Sequence, residues 1–99
     1  MSLAQLEYFV AVAETGAVSR AAMVLAVSQP PLTRQIKLLE QELGTALFER
    51  TSRGMVLRPE GRVFLDHARK ILSQVEAAKV KMTELSQGRC RSAGATGPQ

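Results

Sequence analysis

The stretch Val27-Ser28-Gln29-Pro30-Pro31-Leu32-Thr33-Arg34-Gln35-Ile36 decides how this chain is read. Two adjacent prolines stand in front of an amphipathic pattern. The first backbone N–H groups of a helix have no intrahelical acceptor, so proline there removes no hydrogen bond and stiffens the tip. Ser28 is placed to cap this helix. Its apolar stripe runs Leu32, Ile36, Leu39 and Leu43, with Leu38 on the flank, and Gly44 is placed to end it. The opposite face carries Pro30, Thr33, Arg34, Lys37 and Gln41, with no acid before Glu40.

Working outward, two shorter helices precede this one. Residues 3–14 set Leu3, Leu6, Val10 and Ala13 at helical spacing, with Phe9 beside them, and stop at Thr15-Gly16. A second helix over about 18–25 turns Val18, Ala22 and Leu25 inward. Its start at Ala17 is weakly specified, because alanine offers no capping oxygen. After Gly44 the period changes. "ALFER" and "MVLR", separated by Thr51-Ser52-Arg53-Gly54, read as a small β-hairpin with a polar tip. Two strands alone are marginal and need helices to pack on.

Pro59 suits the first turn of a fourth helix, expected to run to about residue 87. Phe64, Ala68, Ile71, Val75, Ala78, Met82 and Leu85 alternate steps of four and three, which is a heptad seam. At ~1.5 Å per residue the helix is roughly 40 Å long, too long for a small globule to cover, so the seam points to a partner chain. Residues 88–99 are Gly-, Ala- and Ser-rich and read as a flexible hinge remnant or tail.

Composition narrows the function classes. The chain has 99 residues, one small domain with an extension, and a formal net charge of +4. The charge is uneven: residues 1–27 hold Arg20 against Glu7 and Glu14, whereas 50–58 hold Arg50, Arg53 and Arg58 with no acid. Such a surface suits a polyanion. The single cysteine, Cys90, cannot form a disulfide within the chain, which fits a reducing cytoplasm. One histidine, His67, and one cysteine far apart make no metal site, so neither a metal nor another cofactor is expected. No apolar run reaches transmembrane length, and no membrane partner is expected. Glu40, Glu42 and Glu49 come without a nucleophile or metal-ligand set, so an enzyme is not expected; Glu40 is expected to pair with Lys37 or face solvent. Tyr8 and Phe9 read as core or helix-packing residues, Met23 and Met55 as apolar fillers, and His67 as surface or interface packing.

The layout is therefore mostly α: a winged helix-turn-helix, three helices plus a hairpin wing, followed by a long dimerisation helix. The expected divisions are 1–58 for the winged domain (helix-turn-helix unit about 18–37, wing about 46–58), 59–87 for the linker helix and 88–99 for the tail. In such a unit the third helix reads the major groove from its N-terminal end. Pro30 and Pro31 add flat apolar surface able to touch a thymine methyl.

At these residues the chain closely resembles the DNA-binding domain of LysR-type transcriptional regulators. The resemblance rests on "LEYFVAV" from Leu6, Ala21-Ala22, "VSQPPLTRQIKLLEQELGTALFER", the Arg53-Gly54 wing tip and "LRPEGRVFLDHARKIL". It covers residues 1 to about 87. It implies that Gln29, Pro30, Pro31 and Arg34 approach bases, that Ser28, Thr33 and Lys37 lie on or near phosphates, and that Arg53 reaches the flanking minor groove. Arg50 and Gly54 complete the candidate DNA-binding set. It further implies a homodimer through antiparallel linker helices on an interrupted palindrome, with a tetramer open to the full-length protein. A small-molecule effector is expected only for a C-terminal domain outside this chain. Two positions depart from the pattern: Ala17 replaces a small hydroxyl residue, and Arg58 replaces the usual threonine before Pro59. Each weakens a helix cap by about 1 kcal/mol, and Arg58 offers a phosphate contact instead. The rival reading is a protein-interaction module working through helix 59–87. The acid-free wing and the Gln29–Lys37 face argue against it.

Overall fold

A computed structural model describes residues 1–91, with side chains as far as Gly88. The order is α1 (Leu3–Thr15), α2 (Val18–Leu25), α3 (Gln29–Leu43), β1 (Phe48–Thr51), β2 (Gly54–Leu57) and α4 (Pro59–Arg91). Helices α1 to α3 enclose the core. The two strands pair antiparallel beside them, from Phe48 opposite Leu57 to Thr51 opposite Gly54. The molecule measures 62 × 25 × 18 Å along its principal axes because α4 runs on beyond the core.

Helix α1 starts on a reciprocal cap. The Ser2 hydroxyl accepts the Gln5 N–H at 3.1 Å, and the Gln5 carbonyl oxygen accepts the Ser2 N–H at 3.2 Å. It ends at Gly16, whose φ of 79° is the left-handed conformation that glycine adopts without penalty. The buried stripe is Leu6, Phe9 and Val12, not the expected Leu3, Leu6, Val10 and Ala13. Leu3 is 47% exposed, and Val10 and Ala13 are half-buried. The cause is tertiary. Phe9 packs on Phe48 at 5.3 Å between ring centroids and edge-on to Phe64 at 5.2 Å. Burying a phenylalanine side chain stabilises by about 1.5–3 kcal/mol, which outweighs Val10 and Ala13 in setting the rotation of α1.

In α2 the small residues Ala21 and Ala22 are the buried ones, with Val18 and Leu25 half-buried at the edge. Ala17 makes no side-chain cap, as its methyl group dictates. The turn into α3 bends at Ala26, φ 58° and ψ 43°, the one non-glycine residue with positive φ among those described. In α3, Leu32, Ile36 and Leu39 are buried as the stripe requires, and Gly44 ends the helix at φ 74°. The Gln5 amide donates to Gln35 at 2.8 Å, tying α1 to α3.

The hairpin is fastened at both ends. At its tip, the Met55 N–H donates to Gly16 O at 3.0 Å. Gly54 sits so close to that turn that a Cβ there would lie 2.5 Å from Gly16 O. At its base, one carboxylate oxygen of Glu40 accepts the N–H groups of Leu47 at 2.8 Å and Phe48 at 3.2 Å. Glu40 thus does not pair with Lys37 and does not simply face solvent. Two buried amides need an acceptor before the ladder begins, and the carboxylate supplies it.

Helix α4 packs through Ala68, with Phe64, Leu65 and Leu72 partly buried against the core. Gly61 lets it approach the chain at Leu47, whose carbonyl accepts the Arg58 N–H at 2.9 Å. The expected end near residue 87 is corrected: the helix passes through Gly88 to Arg91. A helical glycine costs only about 1 kcal/mol against alanine. Gly88 does not adopt the positive φ of a terminating glycine. The rest of the expected tail, 92–99, lies outside the described residues.

Candidate nucleic-acid interface

Helix α3 presents its first turn outward. Ser28, Gln29, Pro30, Pro31, Arg34 and Lys37 are exposed and Thr33 is half-buried. Ser28 takes the cap position, with extended backbone (φ −82°, ψ 162°), but its hydroxyl makes no capping bond. The expected cap is therefore only positional. A capping oxygen takes an N–H from the second or third helical residue, and those residues are Pro30 and Pro31, which have none. The hydroxyl is left for a ligand from outside.

Gln29, Pro30, Thr33, Arg34 and Lys37 line one open concavity with Leu38 and Gln41. Thr33 and Lys37 also line a cleft between α3 and the hairpin, opposite Arg50, Met55 and Phe48. Strand alternation explains why Arg50 is there. It lies two residues from Phe48 and opposite Met55, so it shares their face, while Glu49 takes the other. The structure thus brings Lys37 and Arg50 together, a pairing across 13 residues that helix periodicity alone does not reveal.

Arg53 projects at the wing tip and is exposed. The turn under it is locked: the Arg53 N–H donates to the Thr51 hydroxyl at 3.1 Å, which donates to Gly54 O at 3.1 Å. Gly54 is half-buried, and its φ of 122° together with its packing on Gly16 makes it the residue that shapes the tip.

The charges are arranged unevenly. Among the described residues, Arg34, Lys37, Arg50 and Arg53 have no carboxylate within 4.0 Å; Arg20, Arg62, Lys79 and Lys81 have none either, but only the first four gather on α3 and the wing. Arg69 pairs with Glu14 at 3.1 Å and Lys70 with Asp66 at 3.0 Å. Arg58 lies 3.6 Å from Glu60, too far for a hydrogen bond, so its nearest charged neighbour is an acid on its own chain. The described residues hold no group of three or more side chains suited to a metal ion, and no helix long and apolar enough to cross a membrane.

The seam on α4 divides. Ala68 is 0% exposed and Phe64 packs on Phe9, so these two belong to their own core, and an enclosed Ala68 leaves no surface for a second chain. Ile71, Ala78, Met82 and Leu85 remain exposed and Val75 half-buried. Lys70, Ile71, Gln74, Val75 and Ala78 line a shallow groove. His67 is exposed. Met23, expected as filler, is 81% exposed beside an exposed Val24, whereas Met55 does pack against the core. Glu40 was the residue most easily overlooked. Its signal was a lone acid closing an otherwise basic and neutral helix face.

The sequence pattern of the bacterial regulatory helix-turn-helix proteins, lysR family, matches residues 3–62. The HTH-type transcriptional regulator TfdT of Cupriavidus pinatubonensis (strain JMP 134 / LMG 1197) is 49% identical over 88 residues, 89% of this chain and 39% of that protein. ClcR of Pseudomonas putida, also an HTH-type transcriptional regulator, is 50% identical over 88 residues, 89% of this chain and 30% of that protein. The chain therefore spans well under half the length of these curated relatives. The crystal structure of a complex of the CbnR DNA-binding domain with DNA superimposes with a TM-score of 0.82 at 44% identity, covering 87% of this chain and 99% of that one. The chain belongs to the lysR family of bacterial regulatory helix-turn-helix proteins.

Proposed function

We propose that this chain binds double-stranded DNA with sequence specificity, as the DNA-reading part of a bacterial transcription regulator acting as a dimer. The observation that carries this reading is the set of unpaired cations, Arg34, Lys37, Arg50 and Arg53, around the exposed first turn of α3 and the wing. The likeness to a domain solved on DNA supports it.

In this reading the phosphates are held by Lys37 and Arg50 across their shared cleft and by the hydroxyls of Ser28 and Thr33. Gln29 and Arg34 carry base readout, each good bidentate pair contributing about 1–3 kcal/mol of discrimination. The rings of Pro30 and Pro31 give the tip a rigid apolar surface. Arg53 enters the flanking minor groove, whose narrow form attracts a guanidinium. Ile71, Val75, Ala78, Met82 and Leu85 join two chains through α4, which sets two reading helices on the halves of an interrupted palindrome. The chain works in the cytoplasm and is not an enzyme. An effector-binding region belongs to the remainder of a full-length regulator.

Selection from a random duplex pool tests this. The expected result is a two-fold related consensus with a fixed spacer. Recovery of unrelated sequences would overturn the specificity.

A further inference from the structure

We propose that Glu40 is a positioning residue that couples the two halves of DNA readout, holding the wing at a set angle to α3. The inference rests on the DNA-binding reading above. Glu40 lies on α3, one turn beyond Ile36 and three residues from Lys37, on the wall of the cleft it shares with Lys37 and Arg50. A carboxylate there is costly to function, since it opposes the field that draws in phosphate. Its contacts give the compensation. One oxygen accepts both Leu47 N–H and Phe48 N–H, the two amides at which the chain enters the hairpin. Both residues are buried, so neither amide has water as an alternative.

The geometry makes this more than a stabilising contact. The hairpin is anchored near its tip by the bond from Met55 N–H to Gly16 O, on the α1–α2 turn. The packing of Phe48 on Phe9 seats the base of the hairpin against α1. The Glu40 contact ties that base to the reading helix itself and so sets the direction of the hairpin relative to α3. Arg53 at the tip then enters the minor groove at a distance from Arg34 set by the protein. Glu40 touches no DNA in this arrangement and acts through Arg53.

Three variants separate charge from hydrogen bonding. Glu40→Gln and Glu40→Ala remove the same charge, but only glutamine keeps an acceptor oxygen at that reach. Glu40→Asp keeps the charge and loses the reach. Each is combined with Arg53→Ala in the 99-residue chain. Affinity is measured for the duplex selected by the wild-type protein, and amide exchange is followed at Leu47 and Phe48. Arg53→Ala is expected to weaken binding about tenfold in the wild-type and Glu40→Gln backgrounds. In Glu40→Ala and Glu40→Asp it should weaken binding by less than about threefold, with faster exchange at both amides. Should Glu40→Ala not fold, Glu40→Asp carries the same comparison. An Arg53 penalty that stays tenfold in folded Glu40→Asp, despite faster amide exchange, overturns the coupling and leaves DNA binding standing. Wild-type protein that shifts no duplex overturns both.

Discussion

Arg69 and Lys70 of α4 and the clustered cations of α3 and the wing are handled in opposite ways, although among the described residues Arg62, Lys79 and Lys81, spread along α4, also have no carboxylate within 4.0 Å. On α4, Arg69 and Lys70 each hold an acid at 3.1 and 3.0 Å, and at its start Arg58 has Glu60 nearby. On α3 and the wing, Arg34, Lys37, Arg50 and Arg53 have no such neighbour, and the one acid lining the Lys37–Arg50 cleft, Glu40, is turned onto two backbone amides. Exposed ion pairs contribute little to stability, about 0–1 kcal/mol, so the pairs on α4 are ordinary surface chemistry. Unpaired like charges held together repel, and a surface keeps them where a polyanion offsets the repulsion.

That contrast can be broken by substitution. The largest effect is expected from Arg34→Ala, which should cost about 1–3 kcal/mol per half-site on the selected duplex and flatten the preference at one base position in each half. Unchanged base preference in a competition assay would remove Arg34 from the reading face. Lys37→Ala should weaken all duplexes alike and lower the salt slope by about one per protomer. A base-dependent loss would mean that Lys37 reads sequence. Arg69→Ala, on the paired side, should change neither affinity nor stability by more than about 0.5 kcal/mol, measured by duplex titration and thermal unfolding. An affinity loss equal to that of Lys37→Ala would erase the distinction between the two regions.

The seam on α4 invites a parallel test. Ile71→Glu places a charge in the exposed groove beside Val75 and Ala78 and should convert a dimer to monomer in light scattering. A dimer that survives would move the interface elsewhere.

Much of this architecture was legible because local chemistry and tertiary structure agree. Gly16 and Gly44 end their helices where the apolar stripes stop, Pro59 opens α4, and Gly54 marks the wing tip. The misreadings arose where they part. Heptad spacing cannot tell a residue that faces its own core, such as Ala68, from one that the fold leaves exposed, such as Met82. The rotation of α1 depends on Phe48 and Phe64 meeting Phe9, contacts made by residues about 40 and 55 positions away. Glu40 reaches amides seven and eight residues on, beyond any helical spacing. Ser28 shows the opposite case. The absence of its capping bond follows from the two prolines and could be deduced from the sequence, since the cap needs N–H groups that proline lacks. The candidate reading residues were legible as a face of α3. The cleft joining Lys37 to Arg50 was not, because it depends on how the hairpin docks.

The central claim is that the unpaired cations serve sequence-selective DNA binding. Its most direct measurement is the affinity of the wild-type chain for its selected duplex and for a scrambled duplex as salt rises from 50 to 200 mM, a span chosen to cover the steep range of counterion release. Affinity for both should fall steeply, by about a thousandfold or more for a dimer neutralising six or more phosphates, while the preference for the selected duplex persists. Affinity that is flat with salt, or equal for the two duplexes throughout, would contradict it.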